Sequence, residues 1–165
     1  MNVKTSRMKY VIVSSVQDYE KAKGLFKEYA EALLTEFGIN VSFEKFYEKL
    51  DEIIVEYNTP IGGIILIIFN NEAVGCVGVR RLEQEISELK RMYIKPAFHN
   101  KGFGKTLLLQ AIELAKELGY KQIRLTTVPG MKSAIKLYQN ARFVEIEPYC
   151  YHPAKGVRYY ELILT

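Results

Sequence analysis

Residues 88–120 read ELKRMYIKPAFHNKGFGKTLLLQAIELAKELGY. The stretch opens as a strand-like run that Pro96 ends, because proline supplies no N–H to a ladder. It then turns through HNKGFGKT at 99–106 and settles into helical spacing. Leu107, Leu108, Ala111, Leu114, Ala115 and Leu118 recur on one face, and Lys105, Gln110, Glu113, Lys116 and Glu117 take the other. The pattern predicts a helix from Gly104 to Leu118, closed by Gly119.

A strand, a glycine-containing turn and a helix start make an anion-binding geometry. The first helical turn leaves backbone N–H groups unpaired, and the aligned peptide dipoles make that end partly positive. Gly102 and Gly104 let the backbone approach an anion closely, and Lys101 and Lys105 add charge. A nucleotide phosphate loop needs G-x-x-x-x-G-K-[ST]; Gly104, Lys105 and Thr106 match, but the earlier glycine falls on His99. The dinucleotide pattern G-x-G-x-x-G fits Gly102 and Gly104 and fails at Leu107. A pyrophosphate loop for an acyl-CoA and a plain turn that merely starts a helix remain open on the loop alone.

Working outward, KYVIVSS at 9–15 reads as a first strand, with Ser14 or Ser15 as the cap of a helix carrying Ala22, Leu25, Phe26, Tyr29, Leu33 and Phe37. Gly38 is its expected stop. A second helix is expected from near Ser42, with Phe43, Phe46, Tyr47, Leu50 and Ile54 on one side, before YNTPIGG breaks the pattern. IILIIF, AVGCVGVRRL and ISELKRMYI follow as three strands, the first two joined by Asn70-Asn71, which suits a tight hairpin. QIRLTTV is a strand, MKSAIKLYQN a short helix, and FVEI and VRYYELIL the last strands. The order β-α-α-β-β-β-α-β-α-β-β makes the chain α+β with a mixed sheet.

Two segments of this order carry a resemblance. ELKRMYIKPAFHNKGFGKTLLLQAIELAKELGY is similar to the central cofactor motif of the GNAT N-acetyltransferase superfamily, in which [QR]-x-x-G-x-[GA] opens an amphipathic helix; here it reads His99-x-x-Gly102-x-Gly104. AIKLYQNARF resembles the second motif, A-I-x-L-Y-x-x-x-G-F, one strand later, as in that superfamily. The topology agrees from Tyr10 to Leu164. LTTVPGMKSAIKLY looks like a subset of mostly uncharacterised bacterial acetyltransferases.

The resemblance implies one domain over residues 1–165 with a GNAT-like fold: a mixed, mostly antiparallel sheet of about seven strands flanked by four helices. It implies acetyl-CoA as co-substrate, no metal, and a primary amine, small-molecule or peptide, as acceptor. Met92 and Ile94 would hydrogen-bond the pantetheine arm, and His99, Asn100, Lys101, Gly102, Phe103, Gly104 and Lys105 would surround the diphosphate. Met131 stands where many members have Asn. Arg142 stands where the motif has glycine, and Asn140 is expected to take the left-handed position instead.

Tyr138 matches the motif's tyrosine and is the implied acid, since a phenol with a pKa of about 10 keeps its proton at neutral pH. Glu88 is the candidate base or water-positioning group. Simple alternation puts Glu88, Lys90, Met92 and Ile94 on one strand face and Leu89, Arg91 and Tyr93 on the other, unless a bulge re-aims them. The Tyr-rich tail EPYCYHPAKGVRYYEL is a candidate wall of the acceptor pocket, with His152 read first as a surface residue. A non-catalytic CoA-binding regulatory module and a nucleotide-phosphate-binding protein are the alternative functions.

The totals are those of an ordinary soluble globular protein. The net charge of +4 is mild, and an interleaved aromatic–basic stripe is missing, so nucleic acid is not an expected partner. Two cysteines and two histidines, without ligand spacing, argue against a metal site. IGGIILIIF is too short to cross a bilayer and the first residues lack a leader-like core, so no membrane contact and a cytoplasmic location are the expectations. Members of the superfamily often form dimers, which makes a homodimer an expectation of the resemblance.

Overall fold

The computed structural model describes residues 7–41 and 48–165. Seven strands form one sheet: β1 (Met8–Ile12), β2 (Gly63–Phe69), β3 (Glu72–Glu83), β4 (Ile86–Ile94), β5 (Gln122–Thr127), β6 (Val144–Ile146) and β7 (Arg158–Ile163). Among the described residues they are accompanied by the α-helices α1 (Val16–Phe37), α2 (Ile53–Glu56), α3 (Phe103–Glu117) and α4 (Lys132–Asn140). The strand order is β1-β2-β3-β4-β5-β7-β6. Neighbours are antiparallel except β4 and β5, which run parallel. This is the expected α+β fold with a mixed, mostly antiparallel sheet. Among the expected residues of the second helix, Phe43, Phe46, Tyr47 and the Ile54 side chain lie outside what the structure describes, while Leu50 is buried.

Local chemistry sets the ends of these elements. Ser15 caps α1 by accepting a hydrogen bond from the Asp18 N–H, and Gly38 ends it with φ 66°, as the sequence suggested. Asn70 and Asn71 both take positive φ and close the β2–β3 hairpin. β2 is buried on both faces: Ile64, Leu66 and Ile68 pack toward α1 and α2, Ile65 and Ile67 toward α3 and α4. Its unbroken apolar run follows from that double burial.

Two features of β4 shape everything beyond it. Gly78 pairs with Lys90 and Cys76 with Tyr93, so Val77 faces two residues, Arg91 and Met92. Arg91 occupies this bulge with φ 56°. The alternation expected along β4 is therefore corrected. Met92 and Ile94 join Leu89 on the α3–α4 face, whereas Arg91, stacked over Phe26 at 4.9 Å, and Tyr93 lie on the α1 face. Glu88 and Lys90 share that second face, since their cross-strand partners are Arg80 and Gly78, and Gly78 abuts the ring of Tyr57. The second feature is a parting of strands. β4 and β5 pair only from Ile86↔Gln122 to Glu88↔Arg124, yet both continue, β4 to Ile94 and β5 to Thr127.

The end of α4 holds a further correction. Arg142, not Asn140, is left-handed, with φ 70°. The Phe143 N–H donates to the Tyr138 carbonyl and the Arg142 N–H to that of Gln139, and the Phe143 ring packs on Tyr138 at 5.8 Å. These are the paired bonds and the apolar contact of a Schellman ending, which fixes where the left-handed residue must fall. A non-glycine residue there costs about 1–2 kcal/mol, part of which glycine gives back through its freer unfolded chain. Arg142→Gly should therefore stabilise the protein by about 0.5–1 kcal/mol, read as a rise in Tm of about 2 °C. A fall in Tm would contradict this account of the helix end.

Candidate active site

Where β4 and β5 part, a cavity of about 770 Å³ opens between α1 on one side and α3 and α4 on the other. Met92, Ile94, His99, Asn100, Gly102, Phe103, Gly104, Met131 and Tyr138 line it together, as the sequence motifs suggested. Lys101 and Lys105 lie outside that lining: Lys101 extends over the Phe98 ring at 5.6 Å and Lys105 is exposed on the first turn of α3. Glu88 is outside it too, buried beneath the neighbouring β3–β4 surface.

The turn from 99 to 104 is built for close approach. Asn100 has φ 59° and Gly102 φ 81°, and no side chain caps α3. The His99 ring bonds back to the Ile94 carbonyl through Nε2 at 2.7 Å, tying the turn to the end of β4. In place of the motif's Gln or Arg, this histidine is therefore spent on holding the loop. At the far edge of the gap, Thr127 is buried and its hydroxyl has no hydrogen-bond partner among the described residues. An uncapped helix start, a turn with two left-handed residues and a partnerless hydroxyl beside two parted strands together fit a long ligand with a diphosphate at one end and amide groups along its arm.

Tyr138 is buried at the same cavity. Burial, reinforced by the nearby Tyr29 phenol, pushes its pKa well above the usual phenol value. Tyr29, on the facing side of α1, is itself raised to about 12 by its own burial. Both hydroxyls thus keep their protons throughout the neutral range.

Glu88 is 2% exposed and fully engaged. Arg80 donates to its Oε1 from Nε at 3.1 Å and Nη2 at 2.9 Å, and the Tyr149 hydroxyl donates to its Oε2 at 2.7 Å. Arg80 also reaches Glu56 at 3.3 Å, and Lys90 stands 3.9 Å from Glu88. Burial and the Glu88 charge together drive the Tyr149 phenol far above its ordinary pKa. The main cation of Glu88 is Arg80, across the β3–β4 ladder. Tyr29, Thr127 and Lys90 also line the cavity, and nothing in their local sequence marks them. His152, read first as a surface residue, lines it as well. The Tyr-rich tail was the signal for Tyr149.

Comparison with known proteins shows the family and the fold. Residues 26–143 match the acetyltransferase (GNAT) family. An uncharacterized N-acetyltransferase of Schizosaccharomyces pombe is 30% identical over 99% of both chains. Among solved structures, a GNAT-family acetyltransferase of Staphylococcus aureus Mu50 superposes with a TM-score of 0.78 at 24% identity, over 96% of this chain and all of that one. The PaiA N-acetyltransferase of Thermoplasma acidophilum, solved in complex with coenzyme A, gives 0.71 at 19% identity, over 95% and 99% of the two chains. The chain belongs to the acetyltransferase (GNAT) family and is by class an N-acetyltransferase. Among the described residues no helix is long and apolar enough to cross a membrane, and no cluster of His, Cys, Asp or Glu has the makings of a metal site.

Proposed function

We propose that this protein transfers an acetyl group from acetyl-CoA to a primary amine by direct attack within a ternary complex. The observation that carries the reading is the parting of β4 and β5 beside the uncapped start of α3, with Tyr138 in the same cavity. The coenzyme A complex of the Thermoplasma relative supports the choice of ligand.

Acetyl-CoA supplies an acetyl thioester. In this reading the backbone amides from Gly102 to Lys105 bind its diphosphate, the side chains of His99, Asn100, Phe103 and Met131 border its path, and the freed backbone of Met92 and Ile94 receives the arm as an added strand would be received. Lys101 and Lys105 attract the phosphates from outside the cleft. Tyr138 donates its phenolic proton to the departing sulfur, a task for which a raised pKa keeps it loaded. The attacking amine must lose a proton, and Glu88 serves this step from a distance. With both oxygens held, it fixes Tyr149 and does not take the proton itself; the amine's proton passes to water and out to solvent as the N–C bond forms and the C–S bond breaks.

Thermal denaturation tests the reading. At a hundredfold excess over its Kd, acetyl-CoA should raise Tm by roughly 5–10 °C, while ATP with magnesium should leave it unchanged. A shift with ATP alone would instead favour a nucleotide-phosphate protein.

A further inference from the structure

We propose that the acceptor is an amine that also carries a carboxylate, as a free amino acid does, and that Lys90 receives that carboxylate. The inference rests on the acetyl-transfer reading above and names the class of amine.

The first observation is the sign of the charge around the cavity. Among the described residues, the α1 side of the lining carries the cations Lys49, Lys90 and Arg91 and one carboxylate, Glu36, which is exposed. A polyamine would bring more positive charge into this half and find little to offset it. An amine with a carboxylate complements it.

The second observation is that the ammonium of Lys90 has unused donors. Its side chain is about one-third exposed, and it makes no hydrogen bond among the described residues. Its ion pair with Glu88 spans 3.9 Å, beyond hydrogen-bond length, and both Glu88 oxygens are taken by Arg80 and Tyr149. A half-buried ammonium with three donors and no close acceptor is costly unless something fills them. Burial accordingly lowers its pKa, against the opposing pull of Glu88.

The third observation is a second donor in the same wall. The His152 Nδ1 accepts the Ala154 N–H at 3.1 Å, so the proton of the neutral ring sits on Nε2. Burial, helped by the charge of Lys90, lowers the pKa of this histidine and keeps it neutral at pH 7. Lys90 and Met92 flank the Arg91 bulge and both line the cavity. A carboxylate on Lys90 thus leaves the amine of the same small molecule directed toward the thioester end of the cleft.

The test pairs each of the common L-amino acids with its carboxamide, and adds spermidine. Turnover is read as free thiol released from acetyl-CoA, and binding as the Tm of the protein saturated with coenzyme A. The carboxamide has the less basic amine, which is the more neutral at pH 7.5, so intrinsic reactivity runs against the expected outcome. For at least one pair, the amino acid should exceed its carboxamide in kcat/KM by about tenfold or more and should alone raise Tm. Lys90→Met should bring that ratio to near one with the acetyl-CoA shift intact, and Lys90→Arg should keep much of it. The proposal is overturned if carboxamides or spermidine are preferred, or if Lys90→Met leaves the ratio unchanged. It is overturned as well if no compound of any set is turned over or raises Tm. In that last case an intact acetyl-CoA shift preserves the acetyl-transfer reading, and a missing one removes both.

Discussion

Tyr138→Phe is expected to lower kcat by about 10²–10³-fold while acetyl-CoA affinity stays within about twofold. The substitution removes one hydroxyl and leaves the ring that packs on Phe143 and the α3–α4 core. Stability should therefore hardly change, and any loss of rate belongs to the proton that the phenol supplies. The same variant separates an enzyme from a module that binds coenzyme A without chemistry, because only an enzyme has turnover to lose. Thiol release with a competent amine gives the rate, and titration calorimetry gives the affinity. Equal rates for the two proteins would remove Tyr138 from the chemistry and point to solvent as the proton source. A matching loss of affinity would assign it to binding instead.

The second large effect lies in the network under the acceptor wall. Arg80→Met should destabilise the protein by about 3–5 kcal/mol, because it strands Glu88 as a buried carboxylate. Glu88 is 2% exposed, and Arg80 supplies two of its three hydrogen bonds. Lys90, at 3.9 Å, can recover part of the loss by closing on Glu88, which favours the lower end of the range. Urea denaturation would show the change as a lowered midpoint at constant slope. The double variant Arg80→Met with Glu88→Met should regain most of the stability, since it removes both charges together. A single-variant loss below about 1 kcal/mol would mean that Glu88 is better solvated than its burial indicates.

The fold was largely legible because its signals are local. The i, i+3, i+4 spacing of Leu107, Leu108, Ala111 and Leu114 defined α3, and two asparagines in a row defined the first hairpin. The glycine turn at 99–104 was equally plain, and its neighbours on β4 and α4 followed from the motifs around it. What the chain order concealed was set by contacts between distant residues. The bulge at Arg91 reverses the faces of Met92 and Ile94, and nothing in ELKRMYI marks it: an arginine in left-handed backbone is held there by the β3 ladder and by Phe26. Arg80 precedes Glu88 by eight residues but meets it only across the β3–β4 register. Arg142 departs from the glycine of its motif, yet the Phe143–Tyr138 contact keeps the helix ending where the motif has it. His152, in the loop before β7, looked like a surface residue because its surroundings come from Lys90 on β4 and from the Ala154 N–H.

The central claim is that the gap between β4 and β5 receives coenzyme A with its sulfur at Tyr138. A crystal structure with coenzyme A tests it most directly. The account predicts the diphosphate within hydrogen-bond distance of the amides from Gly102 to Lys105, the arm against Met92 and Ile94, and the sulfur facing the Tyr138 hydroxyl. Density for the ligand elsewhere, or a phenol turned away from the sulfur, would contradict it.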